Sequence, residues 1–481
     1  MGIGQGATFV FTLLLFVVIS RYLGPTRFGE LTLAKAIVMV AWLGVTLGME
    51  TLITRTVARS PERAGTVASA AMVARGALAI PMFAAVCMYA HVAHLNAETS
   101  TAAGVYALAQ AVWALERVLL ATFQGREHMS LLAKWSIMRN VLSLTLVITV
   151  RVLHGGVVAI AATQIPVEVA LFGVTLFWMR SFGPLTWRVS LRDLREVTQG
   201  SLAFWANEVF FTIYLYLDAV ILAGLVGATA VGLYAPATQM LSSAMFFTVV
   251  IGPATLPQLS RLGVERGAKF RRAGQRVLSL FILCGVPLTI GAATFSGPVI
   301  LAVFGPAYHA SVVAAIAISL CILPMFLNFQ FSQILAASDR QWRWTLALAG
   351  CCVVNPPLNF ILIPLAQHQW HNAALGAALA WLATEILEVM YGLIILRDMV
   401  FDRAVARVLV GALAAGAAQG AVLWITASVW SPVGEALGVI TFGVVAIAIG
   451  AMPRGDAALL LQAVTQRLQG SRGGLLVAEA D

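Results

Sequence analysis

The chain has 481 residues, of which 60% are hydrophobic and only 11% charged, and its mean hydropathy is +0.90. A soluble protein carries roughly a quarter of its residues as charges, so this composition excludes a water-soluble body of this size. The formal charge of +9 is scattered singly and in short loops, never as a basic run interleaved with aromatics, which excludes nucleic acid as a partner.

The apolar residues fall in blocks of about 20, the length that crosses ~30 Å of hydrocarbon as a helix. Residues Met1–Ser20 form the first block. They lack a basic start and a small-residue cleavage site, so the block reads as a retained span and not as a signal peptide. About fourteen spans follow from the pattern, near 3–20, 30–53, 66–90, 102–123, 131–150, 156–178, 200–223, 229–256, 277–303, 309–336, 344–365, 373–396, 405–427 and 434–451. The expected class is an all-α integral membrane protein. The expected organisation is a first set of six spans over 1–185, a linker helix over 186–199, a second set over 200–400, two extra spans over 401–453 and a tail over 454–481.

Loop charge fixes an expected orientation. Loops after even-numbered spans hold nearly all the Arg and Lys, including Arg55, Arg59, Arg63, Arg126, Lys134, Arg192, Arg195, Arg261, Arg266, Lys269, Arg271, Arg272, Arg340, Arg343, Arg397, Arg403 and Arg407. Loops after odd spans offer Arg21, Arg27 and Arg151. By the positive-inside rule both termini are cytoplasmic, in a multi-pass protein of a bacterial inner membrane. Three stretches, 187–197, 261–276 and 457–468, mix basic residues with Leu, Val and Phe and suit either the headgroup layer or a solvated linker.

The five cysteines lie inside apolar blocks without a C-x-x-C pair, so neither disulfide nor zinc is implied. His91-x-x-His94 and His368-x-x-His371 have no carboxylate or Cys partner and read as interfacial residues, not metal ligands. There is no P-loop, no G-x-S-x-G and no H-E-x-x-H, so neither an enzyme nor a bound cofactor is expected.

The chain also repeats itself. Gly24-Pro-Thr-Arg-Phe-Gly29 lies between spans one and two, and Gly227-Ala-Thr-Ala-Val-Gly232 between spans seven and eight. Each is a short reversal that glycine permits. An offset of six spans inserts both halves with the same orientation, related by an axis along the membrane normal.

Arg21-Tyr-Leu-Gly-Pro-Thr-Arg-Phe-Gly29 resembles the first turn of the Wzx-type polysaccharide flippases, in the multidrug/oligosaccharidyl-lipid/polysaccharide exporter superfamily. Asp218–Ala235, Pro257-Gln-Leu-Ser-Arg-Leu262 and Phe304-Gly-Pro-Ala-Tyr308 are similar to its later landmarks. The resemblance covers roughly residues 1–400. It implies two six-helix lobes around a central cavity, with two further C-terminal helices similar to those of the lipid II flippase branch. It also implies a substrate of undecaprenyl diphosphate bearing an oligosaccharide, with membrane lipids and polysaccharide polymerase or chain-length proteins as partners. Arg21 is the cation to which it gives a substrate-binding role.

Ionisable residues inside spans are costly and usually face a cavity or a partner. The cations Lys35, Arg75, Arg117 and Arg139, with Arg21 at a span edge, all fall in the first half. Arg21, Lys35, Arg75 and Arg139 are expected to attract the diphosphate, because charge-assisted hydrogen bonds suit it. The competing reading is ion pairing, for example of Arg75 or Arg139 with Glu168. Arg117, beside Glu116, is expected to be structural. Glu168, Glu208, Asp218, Glu385 and Glu388 are the candidates for coupling to H⁺ or Na⁺. The rival functions are a cation-coupled drug exporter of the same superfamily and a polysaccharide polymerase or ligase. Residues 3–20 contain no acid, against the exporter, and the outer loops are short, against the polymerase.

Overall fold

Hydrocarbon offers no partner to a bare backbone amide, so a chain this apolar satisfies its peptide groups within helices. The computed structural model describes residues 2–182, 185, 189–263, 267–397, 399–426 and 432–451, and no strand occurs among them. The helices are α1 (Gly2–Ala41), α2 (Leu43–Thr46), α3 (Met49–Arg59), α4 (Ala64–Val92), α5 (Ala97–Gly125), α6 (Met129–Val152), α7 (Val157–Ala162), α8 (Gln164–Met179) and α9 (Leu191–Val226). They continue as α10 (Ala228–Gly263), α11 (Ala268–Phe304), α12 (Ser311–Ser319), α13 (Ile322–Ala337), α14 (Gln341–Trp370), α15 (Ala373–Leu396), α16 (Arg403–Thr426) and α17 (Pro432–Ala448).

The expected apolar blocks fall mostly on described helix. Among the described residues ten helical segments are long and apolar enough to cross a membrane, or eleven if the bent pair α12 and α13 is one span. The first, Thr8–Thr46, contains two expected blocks, because α1 changes direction at Gly24 (φ 70°, ψ 172°), where its two arms meet. The expected tail helix over 457–468 lies outside the described residues, as do Arg266 and residues 186–188.

Three local findings go beyond the sequence pattern. The expected span 30–53 is broken: Leu47 (φ 44°) and Gly48 (φ 68°) both adopt left-handed backbone between α2 and α3. A Cβ at Gly48 would lie 2.7 Å from Trp205 N, so only glycine lets α9 pass. The stretch expected as a surface helix continues directly into the seventh block, since α9 runs unbroken from a Ser190/Asp193 capping box to Val226. The third is the alanine content of α4 and α5, where Ala68, Ala70, Ala71, Ala102, Ala103, Ala107 and Ala114 are all fully buried. Small residues let membrane helices approach closely.

The chain divides into two compact units. The larger comprises Met1–Val250, Phe295–Cys321 and Arg340–Tyr391, and the smaller Ile251–Thr294, Ile322–Asp339 and Gly392–Asp481. The larger unit therefore takes helices from both halves of the repeat. Within the smaller unit, Phe281 packs edge-on to Phe326 with centroids 5.9 Å apart, and Gly416 lies against Val286 and Ile290.

In the smaller unit Asp402 caps α16. Its Oδ1 accepts from Ala404 N at 2.8 Å and Val405 N at 3.1 Å, and Oδ2 accepts from Gln275 Nε2 at 2.8 Å. The Val405 amide leads the effects that hold this carboxyl below the ordinary aspartate value, with the slight burial of the group opposing it. Because the folded-state pKa is depressed, the cap's stabilisation is complete above about pH 4 and disappears as pH falls through the lower folded value. Amide exchange at the start of α16 should therefore rise on acidification in the wild type and much less in Asp402→Asn, which keeps an uncharged acceptor. Equal acid responses in the two proteins would remove Asp402 as the cause.

Candidate functional site

The repeated glycine turns meet in space within the larger unit. Thr26 and Thr229, 203 residues apart, place their hydroxyl oxygens 3.2 Å apart. A Cβ on Gly29 would sit 1.9 Å from Ala228 O, and a Cβ on Gly232 would sit 1.8 Å from Pro25 O. These contacts are reciprocal at one sequence offset, as an axis passing between the two threonines would produce. Gly24 and Gly227 (φ 103°, ψ 171°) share the same glycine-only backbone. Backbone touches backbone here, which no side chain would allow.

A third glycine turn closes on the first. Gly305 (φ 96°, ψ 171°) ends α11, and the following Tyr308 donates its hydroxyl to Ser20 O at 2.8 Å. Arg21 donates through Nε to Val303 O at 2.6 Å and through Nη2 to Ala302 O. A cation on the last carbonyls of a helix satisfies groups that have no intrahelical partner and complements the helix dipole. Phe304 packs between Phe16 and Tyr308, with both centroid distances 5.9 Å. The Phe304–Tyr308 motif is thus a latch on the first hairpin, and Arg21 is one of its bolts.

The four expected substrate cations do not share one environment. Arg75 of α4 is fully buried; its Nη1 donates to Ala114 O at 2.7 Å and its Nη2 to Thr46 O at 3.3 Å, with Glu50 at 3.7 Å. Thr46 O is freed by the break at Leu47–Gly48, so Arg75 serves backbone that the broken helix cannot. Glu50, in the first turn of α3, also accepts from Arg117 Nε at 3.0 Å and from Arg117 Nη2. Glu208 of α9 is half-buried and within Coulombic reach of Arg75 and Arg117. Arg117 is therefore anchored by Glu50, not by its neighbour Glu116.

Arg139 of α6 pairs with Glu168 of α8, Nε at 3.1 Å and Nη2 at 2.6 Å from one oxygen, while a third of the Arg139 side chain stays exposed. Of the two pairings weighed from sequence, Arg139 with Glu168 forms and Arg75 takes Glu50 instead. Lys35 is exposed and has no ion pair or hydrogen bond among the described residues.

The acids of the second half sit in a buried polar network. Asp218 of α9 accepts from Asn359 Nδ2 at 2.8 Å and lies 3.5 Å from the Tyr234 hydroxyl. Asn359 Nδ2 also faces Asn355 Oδ1 at 2.9 Å and Asn355 O at 3.1 Å. Three acceptors thus converge on an amide that has two hydrogens, and Asn355 reaches on to Thr384 at 3.4 Å. One helical turn further, Glu385 accepts from Tyr214 and from Trp381 Nε1 at 3.0 Å, with Glu388 buried beside it. Asn355, Asn359, Tyr214, Tyr234 and Trp381 were not singled out in the sequence. The available signal was Asn355-Pro-Pro-Leu-Asn359, two amides one turn apart in an apolar block.

The sequence matches the polysaccharide biosynthesis protein family over residues 18–313. The chain belongs to that family. A putative O-antigen transporter of Shigella flexneri is 23% identical over 188 residues, 38% of this chain and 42% of that protein. The chain thus spans less than half the length of that relative. The lipid II flippase MurJ in its inward closed conformation superposes with a TM-score of 0.75 at 13% identity, covering 95% of this chain and 99% of MurJ. An inward-facing multidrug resistance MATE transporter of the MOP superfamily gives 0.67 at 14% identity, covering 82% of this chain and 95% of the other. At these identities the two structures share the fold. The family match agrees with the resemblance read from the turn motifs.

Removing Arg75 leaves Thr46 O and Ala114 O without their donor and strips Glu50 of one counter-charge. Breaking a buried pair in this way costs about 3–5 kcal/mol. Arg75→Ala should therefore lower the thermal midpoint of the purified protein in detergent, whereas Lys35→Ala should leave it unchanged. Equal midpoints for Arg75→Ala and wild type would show that Arg75 does not support the break.

Proposed function

We propose that the protein carries an undecaprenyl-diphosphate-linked oligosaccharide from the cytoplasmic to the periplasmic leaflet by alternating access, for surface polysaccharide synthesis. The supporting observation is the glycine clasp. Two like-oriented hairpins meet backbone to backbone at one level, joined besides by the Thr26 and Thr229 hydroxyls. Such a contact separates along its seam without unpacking a core, and in this reading it closes the periplasmic side. The two lobes, 1–185 and 200–400, part there to release the headgroup. Both termini are cytoplasmic in this arrangement, as loop charge requires.

The need for a sheltered path is physical. Each bare hydroxyl costs several kcal/mol in hydrocarbon, and a diphosphate costs more, while the prenyl chain is at home in lipid. Lys35, exposed and unpaired, is the first contact for the diphosphate. Arg139, partly exposed, is the second, and Arg21 becomes available when its latch opens. Arg75 acts at one remove, by holding the broken helix that carries Lys35 on one side and Glu50 on the other. Outward movement of each negative charge gains about 2.3 kcal/mol per 100 mV of inside-negative potential.

In the second half, Asp218 with Asn355 and Asn359 supplies oxygen ligands and a buried carboxylate for the coupling H⁺ or Na⁺. Glu385 and Glu388 form the adjoining acidic step, and Glu208 links α9 to the Arg75–Glu50–Arg117 group. The likeness to the MATE fold keeps drug export as the second reading. A strain lacking the protein should accumulate lipid-linked sugar; accumulation absent while dye efflux fails would favour the exporter.

Two measurements test the mechanism. A disulfide between Thr26→Cys and Thr229→Cys should form on mild oxidation, halt polysaccharide output, and release it on reduction. Undiminished output with the bridge closed would refute the clasp as a gate. Lys35→Ala should remain in the membrane at wild-type level but lower surface polysaccharide at least several-fold, and normal output would remove Lys35 from the path.

A further inference from the structure

One buried group is left unused by this scheme. Glu116 of α5 is 0% exposed and accepts from Trp135 Nε1 at 2.7 Å through Oε1. Glu168 of α8 is 2% exposed and receives Arg139 through its own Oε1. Trp135, which holds Glu116, and Arg139, which holds Glu168, lie one turn apart on α6, so the two carboxyl groups are set side by side. Glu116 Oε2 and Glu168 Oε2 are both buried and lack a hydrogen-bond donor among the described residues. Two carboxylates and one guanidinium leave a net negative charge in hydrocarbon, and Arg117 acts on Glu116 only through space. Arg117, adjacent in sequence, is turned to Glu50, and Arg75 of α4 is held there too. From α1, Glu30 is bonded to Asn96 and Lys35 is exposed, while Tyr106 of α5 lies within Coulombic reach of Arg139. Helix α7 contributes no titratable side chain.

We propose that Glu116 and Glu168 form a carboxyl–carboxylate pair that shares one proton between their two unpartnered oxygens, and that Arg139 links a second proton to anion binding. Two carboxylates in contact cannot both stay ionised, so the resting unit is one acid, one carboxylate and one guanidinium, with no net charge. An anion that draws Arg139 away from Glu168 removes the counter-charge bonded to the pair. Glu168 then takes a proton from water, completing a neutral diacid, and returns it when the anion leaves and the guanidinium swings back. Proton uptake and anion capture thereby favour each other, as linkage demands. The exposed third of the Arg139 side chain is what makes the exchange possible, because Trp135, one turn earlier on α6, holds the guanidinium over its ring at 5.9 Å and not in a closed core. This coupling rests on the reading of Arg139 as an anion contact, whereas the resident proton does not.

Isotope-edited infrared spectroscopy of the full-length protein in liposomes at neutral pH, with labelled glutamate, reads both halves. Glu116→Gln and, independently, Glu168→Gln should each lose the unionised carboxyl intensity of one group relative to wild type. Arg139→Gln, which mimics the guanidinium withdrawn, should gain the intensity of one group, and inorganic pyrophosphate added to wild type should produce the same gain. Unchanged spectra in both glutamine variants would overturn the shared proton. A loss there, but no gain in Arg139→Gln or with pyrophosphate, would overturn the link to anion binding while leaving the flippase reading to the sugar-accumulation measurement.

Discussion

Hydrocarbon supplies no hydrogen-bond partner, and most of the departures from simple helix in this protein follow from that constraint. A helix broken at Leu47–Gly48 would bare carbonyls in the bilayer. Arg75 reaches Thr46 O, and Trp205 reaches Leu43 O at 2.8 Å. The end of α11 likewise exposes carbonyls, and Arg21 takes two of them. Both arginines are placed where backbone geometry fails, which is also where a membrane protein moves. Their charge is then balanced locally, Arg75 by Glu50 and Arg21 by the negative end of a helix.

The glycine clasp obeys the same logic from the other direction. In a membrane there is no hydrophobic gain from helix association, so close backbone approach and dispersion must suffice. Gly29 and Gly232 reach that limit, with no room for a methyl group on either. A seam made of backbone has no knobs to withdraw from holes, and its hydroxyl pair at Thr26 and Thr229 exchanges readily with water. In the proposed cycle this seam closes tightly and opens at low cost. The neighbouring latch of Tyr308, Phe304 and Arg21 adds directional bonds, which set how firmly the closed state is held.

Much of the architecture was legible in the residues. Block length gave the helices, and the repeated Gly-x-x-x-x-Gly gave the pair of turns, because a reversal between apolar blocks demands glycine. The break inside the second block was not legible, since Leu47 shows no preference for left-handed backbone and only α9 passing at Gly48 explains it. Intramembrane charges could be named from sequence but not assigned partners. Arg117 sits beside Glu116 in the chain yet bonds to Glu50, because adjacent residues on a helix point about 100° apart. The Asp218 network was half visible: its carboxylate stands out in an apolar block, but Asn355 and Asn359 matter only because α14 brings them to α9.

Under the proposed function, cations that are already paired define how an anionic cargo is bound. A bare guanidinium facing an empty vestibule would hold water and salt, and the headgroup would have to strip both. A guanidinium resting on a carboxylate instead offers an exchange of one anion for another, so the protein–cargo contact replaces a contact and does not create one from water. The energetic difference between the two states is then small, as transport requires, since tight capture would block release. Selectivity shifts to whatever stabilises the abandoned carboxylate. In this chain the acids lie one contact away from the cations, Glu168 behind Arg139 and Glu50 between Arg75 and Arg117. In that reading the side chains that pair the cations at rest are the ones that register the arrival of a charge.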